Sequence, residues 1–311
     1  MINRCIKSYI NLYQSSHFSK DINEAIYNLC KHNKKLLSLN KIGESVQGTP
    51  ILSITIGEGS TKILIQGTHH AREAITTILL LDQINYLLKL YKMDKSINNM
   101  SIHKLLKYVT FVLVPLVNPD GADLVINGGK YVCPKYKYKP YLKEELFPRW
   151  KANINGVDLN RNYPTKYPAD DSVTYPQYAF YKGPYYFSEP ETYALKCLTE
   201  KYLFDGTISY HSSGEIIYYQ YNQLNIERDL AIASKISKET GYVLEEEEKQ
   251  PVTGSGYKDW FIENYEKPGL TIEVSPNVGE QKVPVENYRD IFERNKNVPI
   301  LFAQEVFHRV I

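Results

Sequence analysis

A strand, a polar turn and a buried helix in succession constrain the fold of this chain more than any other feature. Lys62 to Gln66 is strand-like, Gly67-Thr68-His69-His70-Ala71-Arg72-Glu73 follows, and from near Glu73 a helix carries Ile75, Ile78, Leu79, Leu81, Leu87 and Leu88. That helix is apolar around much of its circumference, so it packs against a sheet. The polar stretch then falls beyond a strand end, where open α/β sheets present ligands. His70 and Glu73 are three apart, a spacing that turns an imidazole at a helix start and a carboxylate in the first turn onto one cation. His69 has Arg72 at the same offset, which cannot ligate a metal. Taken alone, the same residues also serve as a helix start charged for dipole and capping reasons.

The rest of the chain decides between these. With 311 residues and 43% hydrophobic content it builds a sizeable core, in one large domain or two average ones. A net charge of +2, from 37 basic and 35 acidic side chains, sets up no overall field for nucleic acid or an acidic membrane. No apolar run approaches the ~20 residues of a membrane span, and the N-terminus lacks a signal-peptide pattern, so a cytoplasmic location is expected. Cys5, Cys30, Cys133 and Cys197 lie far apart with no Cys-x-x-Cys pair and are expected to be reduced thiols.

In chain order, residues 1 to about 20 are polar and read as an N-terminal extension, with Ser19-Lys20-Asp21 capping a first helix. Strands are expected at Leu36 to Ile42, Ile51 to Ile56 and Lys62 to Gln66, and a fully buried one at Tyr108 to Val117 that runs into a turn, Asn118-Pro119-Asp120-Gly121. Gly128 to Tyr141 mixes lysine with tyrosine; it reads as a solvated, tyrosine-packed excursion in preference to a platform for an anionic polymer. Gly156 to Tyr163 is dense in side chains that recognise carboxylates. Ser188 with Glu191 reads as a capping box, Gly206 to Ser209 as a strand delivering Tyr210-His211-Ser212, and Glu245 to Glu248 as a solvated acidic face. Pro251 to Gly256 reads as mobile, Tyr257 to Asn264 as a short helix, Gly269 to Val274 as a buried strand, and Val285 to Val310 as mainly helical. No repeat or linker interrupts the chain, so one domain is expected.

A carboxylate inside Leu-Thr-Ile-Glu-Val needs a partner, and a metal would supply one for Glu273. His211, at a strand end, is the natural third ligand. His-x-x-Glu, a distant His and a free Glu together resemble the zinc carboxypeptidase family. The matching stretches are Gly67 to Glu73, Asn118 to Gly121, Gly156-Val157-Asp158-Leu159-Asn160-Arg161-Asn162, Tyr210-His211-Ser212 and Thr271-Ile272-Glu273, from about residue 22 onward. The resemblance implies a three-layer α/β/α sandwich on a mixed, largely parallel eight-stranded sheet. It implies one zinc ion held by His70, Glu73 and His211, and Glu273 as general base. It also implies that Asn160 and Arg161 grip the terminal carboxylate of a peptide substrate, with Arg72 and Ser212 on the substrate side.

Departures from the animal enzymes refine this. Lys151 stands where the family has an arginine for the oxyanion, with Arg149 as the alternative. Lys258 falls on the residue lining the specificity pocket, where an ammonium would favour an acidic group. Pro251 falls where the family has a mobile tyrosine, with Tyr257 as a substitute. Trp150-Lys151-Ala152-Asn153, His211 to Tyr218 and Gly256-Tyr257-Lys258-Asp259-Trp260 resemble the bacterial branch that includes the γ-D-glutamyl-diamino acid peptidases. The expected substrate is therefore a muropeptide with a free C-terminal carboxylate, met as soluble fragments or as wall reached from inside a sporulating cell, with no LysM domain. Removal of acidic residues from ordinary peptides is the alternative. Hydrolysis of N-acyl amino acids and non-catalytic binding of wall peptides rank lower.

Overall fold

The computed structural model describes residues 8–170, 172–246 and 251–310. Among them the main sheet has eight strands: β1 (Leu37–Glu44), β2 (Pro50–Ile56), β3 (Thr61–Gly67), β4 (Val109–Val114), β5 (Gly206–Ser212), β6 (Ile216–Tyr218), β7 (Val243–Leu244) and β8 (Gly269–Val274). Their spatial order is β1-β2-β4-β3-β5-β8-β6-β7. The centre is parallel, β4 with β3, β3 with β5 and β5 with β8, while β1–β2, β2–β4 and β8–β6 are antiparallel. This is the mixed sheet expected.

Alternation along the central strands makes the layers. Ile63 and Ile65 of β3 point into one core while Leu64 points into the other, and Phe111 and Leu113 of β4 oppose Val112 and Val114 in the same way. On one face lie α1 (Phe18–His32), α2 (Ile75–Lys92), α6 (Ile226–Thr240), α8 (Tyr288–Asn295) and α9 (Val298–Val310). On the other lie α5 (Pro190–Tyr202) and α7 (Tyr257–Tyr265). α3 (Ile102–Tyr108) leads directly into β4, and α4 (Pro119–Asn127) follows it. No helix among the described residues is long and apolar enough to cross a membrane.

Several expectations change. Residues 8–20 are not an appendage: the Tyr13 hydroxyl donates to the Val283 carbonyl at 3.0 Å, and Phe18 is fully buried. Ser19 does not cap α1, which His17 precedes; its hydroxyl donates to Asp123. Asn118 to Gly121 is a helix start, not a turn, because the Asn118 side chain accepts the Gly121 N–H at 3.1 Å and Pro119 suits the first helical position. Glu189, not Ser188, precedes α5, and Glu191 is buried under it, its carboxylate accepting from Val46 N–H and from Asn153. Glu245 is also buried, its carboxylate accepting from the backbone N–H groups of Tyr219 and Gln220, so it is no solvated face; Glu247 and Glu248 lie outside the described residues. Val252 exchanges two hydrogen bonds with Asn222, and Gly254 N–H donates to the Tyr167 carbonyl, so this segment is tied down. Cys30, Cys133 and Cys197 are free thiols, and Cys5 lies outside the described residues.

Candidate metal centre

β3, β5 and β8 run parallel and end on one edge of the sheet, so the residues at their carboxyl ends meet there. The chain leaves β3 through Gly67, where a Cβ would lie 3.0 Å from Thr76 Oγ1 and 3.3 Å from the Pro115 carbonyl. Thr68 follows with φ 57°, an uncommon conformation for a β-branched residue. It is held by its N–H donating to Thr76 Oγ1 at 2.8 Å and by its hydroxyl lying 2.8 Å from that of Thr77. The chain is thereby turned so that His70 immediately precedes a single 3-10 turn, Ala71–Glu73, ahead of α2. Glu73 thus lies in a separate turn before the helix, which begins two residues after it.

His211 arrives on β5, and the parallel register sets Glu273 of β8 directly beside it. His70 Nδ1 lies 2.8 Å from Glu73 Oε1, His211 Nδ1 2.9 Å from Glu73 Oε2, and the two Nδ1 atoms are 3.2 Å apart. All three side chains are buried. Ser212 contributes its backbone N–H, donated to Glu73 Oε2 at 3.2 Å. Two imidazole nitrogens and a carboxylate facing one point form a donor set suited to zinc, and their ligand atoms all lie within 4.8 Å of one another. They are the only such group among the described residues.

The electrostatics follow from this crowding. Burial pushes the Glu73 carboxyl up, but the His70 and His211 imidazoles outweigh it and hold the group well below its ordinary value. Burial also raises Glu273, and the Glu73 carboxylate raises it further against the pull of His211 and Lys151. Glu273 Oε2 is buried with no hydrogen-bond partner, as a group kept available for an incoming proton would be.

Sequence reading assigned Asp158 no role, yet it stands behind His70 with Oδ1 3.2 Å from Nε2. Burial would raise it; His70, then Arg161 and Lys151, hold it far below its usual range. It also accepts the Asn160 and Phe180 N–H groups at 3.1 and 3.0 Å, which locks its position. A carboxylate behind a metal-ligating imidazole sets the ring's tautomer and orientation. The signal available was an Asp two residues before Asn160-Arg161. His69 is a packing residue, with Nε2 3.1 Å from the Tyr163 hydroxyl and its ring stacked on that of His211.

The remaining candidates divide. Arg72 is buried and donates to the Arg149 carbonyl at 3.2 Å. Arg149 is drawn away to the Tyr178 hydroxyl and Glu280, whereas the Lys151 ammonium acts on His70, Asp158 and Glu273. Of the two, Lys151 carries its charge at the site. Asn160 Oδ1 accepts the Tyr257 N–H at 3.2 Å, and Arg161 Nη1 donates to the Asn160 carbonyl at 3.2 Å. Tyr257 is no substitute for a mobile tyrosine, because its ring is fully buried and its hydroxyl is 2.7 Å from that of Thr199. Nor does Lys258 offer an open ammonium: buried, it donates to the Gln220 carbonyl at 2.5 Å and pairs with Asp259 at 2.9 Å.

The zinc carboxypeptidase family profile matches residues 22–284. The chain is 33% identical over 81% of its length to gamma-D-glutamyl-L-diamino acid endopeptidase 1 of Lysinibacillus sphaericus, and spans 63% of that protein. It is also 33% identical over 88% of its length to the Bacillus subtilis protein YqgT, spanning 73% of it. In fold it resembles bovine thrombin-activatable fibrinolysis inhibitor, with a TM-score of 0.74 at 19% identity, covering 94% of this chain and 98% of that one.

Proposed function

The chain belongs to the zinc carboxypeptidase family and is a zinc metallopeptidase, and on that premise we propose that it hydrolyses the γ-D-glutamyl-(L)meso-diaminopimelate bond of cell-wall muropeptides. The observation that carries the chemistry is the pairing of Glu273 with His211 across β5 and β8, which sets a carboxylate with one unpartnered oxygen beside the metal ligands. The likeness to the Lysinibacillus endopeptidase supports the bond.

His70, Glu73 and His211 would hold the zinc, and a bound zinc ion supplies Lewis acidity that polarises the scissile carbonyl and acidifies water. Glu273 takes a proton from the attacking water and returns it to the departing amine, a cycle suited to a carboxyl held above its ordinary range. Lys151 faces the charge that develops on the carbonyl oxygen. Asp158 keeps the His70 ring in place. Arg161, with Asn160 beside it, binds the substrate's terminal carboxylate, and Arg72 and Ser212 border the reacting bond. Because Lys258 is already balanced by Asp259 and the Gln220 carbonyl, it supports neither a diaminopimelate carboxylate nor a preference for acidic C-terminal residues. The test is mass spectrometry of L-Ala-γ-D-Glu-meso-diaminopimelate and of peptides ending in Glu after incubation with zinc-loaded protein. Release of diaminopimelate is expected; faster release of glutamate from the ordinary peptides overturns the muropeptide reading.

A further inference from the structure

The lysine and tyrosine excursion contains a concentration of charge that the zinc site leaves unexplained. Lys130, Lys135, Lys137, Lys139 and Lys143 are all exposed. No carboxylate interrupts the run from Gly128 to Lys143, whose five lysines exceed the net charge of +2 carried by the whole chain. Among the described residues none of the five forms an ion pair; Lys130 and Lys135 instead lie over the Tyr131 and Tyr136 rings at 5.1 and 4.8 Å. Tyr138, between Lys137 and Lys139, is 88% exposed, far beyond the ordinary exposure of a tyrosine.

The excursion also encloses a cavity of about 460 Å³. Val132, Leu142 and Phe147 line it and belong to the small apolar cluster that includes Ala71 and Trp150, whereas Lys130, Lys137 and Tyr138 line it from the exposed side and Glu144 stands beside them. That cluster ties the surface to the chemistry. Phe147 packs edge-on against Trp150 at 6.3 Å, the Trp150 carbonyl accepts the Arg72 N–H at 3.0 Å, and the Lys151 carbonyl accepts that of Ala71 at 3.0 Å. A polymer lying on the excursion would therefore be separated from the turn that carries His70 and Glu73 by that cluster.

Resting on the substrate reading above, we propose that this face docks the carboxylate-bearing glycan–peptide strands of the wall, so that the zinc site works on polymer as well as on free fragments. An exposed tyrosine ring such as that of Tyr138 stacks on a sugar face, and unpaired lysines attract spaced carboxylates. Single-stranded nucleic acid is the less favoured ligand, because the run has no arginine to pair bidentately with phosphate.

The test uses the full zinc-loaded chain and diaminopimelate-type sacculi stripped of phosphate polymers. Co-sedimentation is expected, weakening about tenfold between 50 and 300 mM salt as screening shortens the reach of the lysines. The K135E/K137E/K139E variant is expected to bind about tenfold more weakly, and Y138A severalfold, while both cleave the free tripeptide within about twofold of the unaltered chain. Equal sedimentation of the triple variant, binding only to unstripped sacculi, or tighter binding of a single-stranded oligonucleotide would each overturn the proposal. Failure of the unaltered chain to cleave the tripeptide instead sinks the substrate reading, with the sedimentation result standing separately.

Discussion

The zinc site and the excursion at residues 128–143 lie on the two sides of one apolar cluster, yet they use charge in opposite ways. At the strand ends, His70, Glu73, His211 and Asp158 are buried; the first three touch one another at 2.8–3.2 Å and Asp158 touches His70 at 3.2 Å, so each charge is placed by the next. On the excursion five lysines stand in solvent without a carboxylate partner among the described residues. Burial makes an unmatched charge costly and so turns charge into geometry; exposure leaves a screened field that attracts without orienting. One region can do chemistry, and the other can only gather.

The sharpest way to break this contrast is Glu273→Gln, which keeps size and zinc ligands but removes the proton acceptor. Turnover of the tripeptide should fall about 10³- to 10⁴-fold with zinc content unchanged by metal analysis. Full turnover would mean that another group is the base. The next largest effect should come from the cluster that joins the regions. Trp150 is fully buried with its Nε1–H donating to the Asn153 carbonyl, and Trp150→Ala should cost about 3–5 kcal/mol in urea unfolding.

A third effect lies in the buried acids Glu191 and Asp120. Burial first, and the Asp120 carboxylate second, push Glu191 up to about 8 from an ordinary 4.5. A carboxyl raised on folding stabilises the fold in its protonated form; that contribution is complete below pH 4.5 and is lost as pH rises through about 8. Glu191→Gln, which keeps an acceptor for the Val46 N–H, should therefore gain on the unaltered chain between pH 5 and 8, by a few kcal/mol at most in denaturation midpoints compared across that range. An identical pH dependence would show that Glu191 does not titrate there. Smallest should be the effect of K135E/K137E/K139E on stability, within about 0.5 kcal/mol per position by the same unfolding measurement, since none of these lysines has an ionic partner to lose.

Legibility followed the reach of each signal. Strand alternation and helix periodicity act over a few residues, so the central strands and long helices stood within a few residues of their expected places. Asn118 to Gly121 misled because Asn-Pro-Asp-Gly suits a turn and a capped helix start equally, and only the apolar surface awaiting Ala122 and Leu124 selects the helix. Glu245 misled because a run of acids is usually solvated, whereas here it leaves β7 beside the chain leaving β6, which points two backbone N–H groups at it. Tyr257 and Lys258 were placed at the site by motif alignment, and the packing of α7 turned both side chains toward partners of their own.

By itself the sequence determined the local half of the centre: a glycine turn after a buried strand, His70 and Glu73 at one offset, and a carboxylate on a strand that had to be matched. Only the tertiary structure decided that His211, 141 residues from His70, completes the set, that Glu273 lies beside it in register, and that Asp158 stands behind His70. The physical reason is that offsets along a helix or strand are written in neighbouring residues. The register between distant strands is set by side chains packing on both faces of the sheet at once.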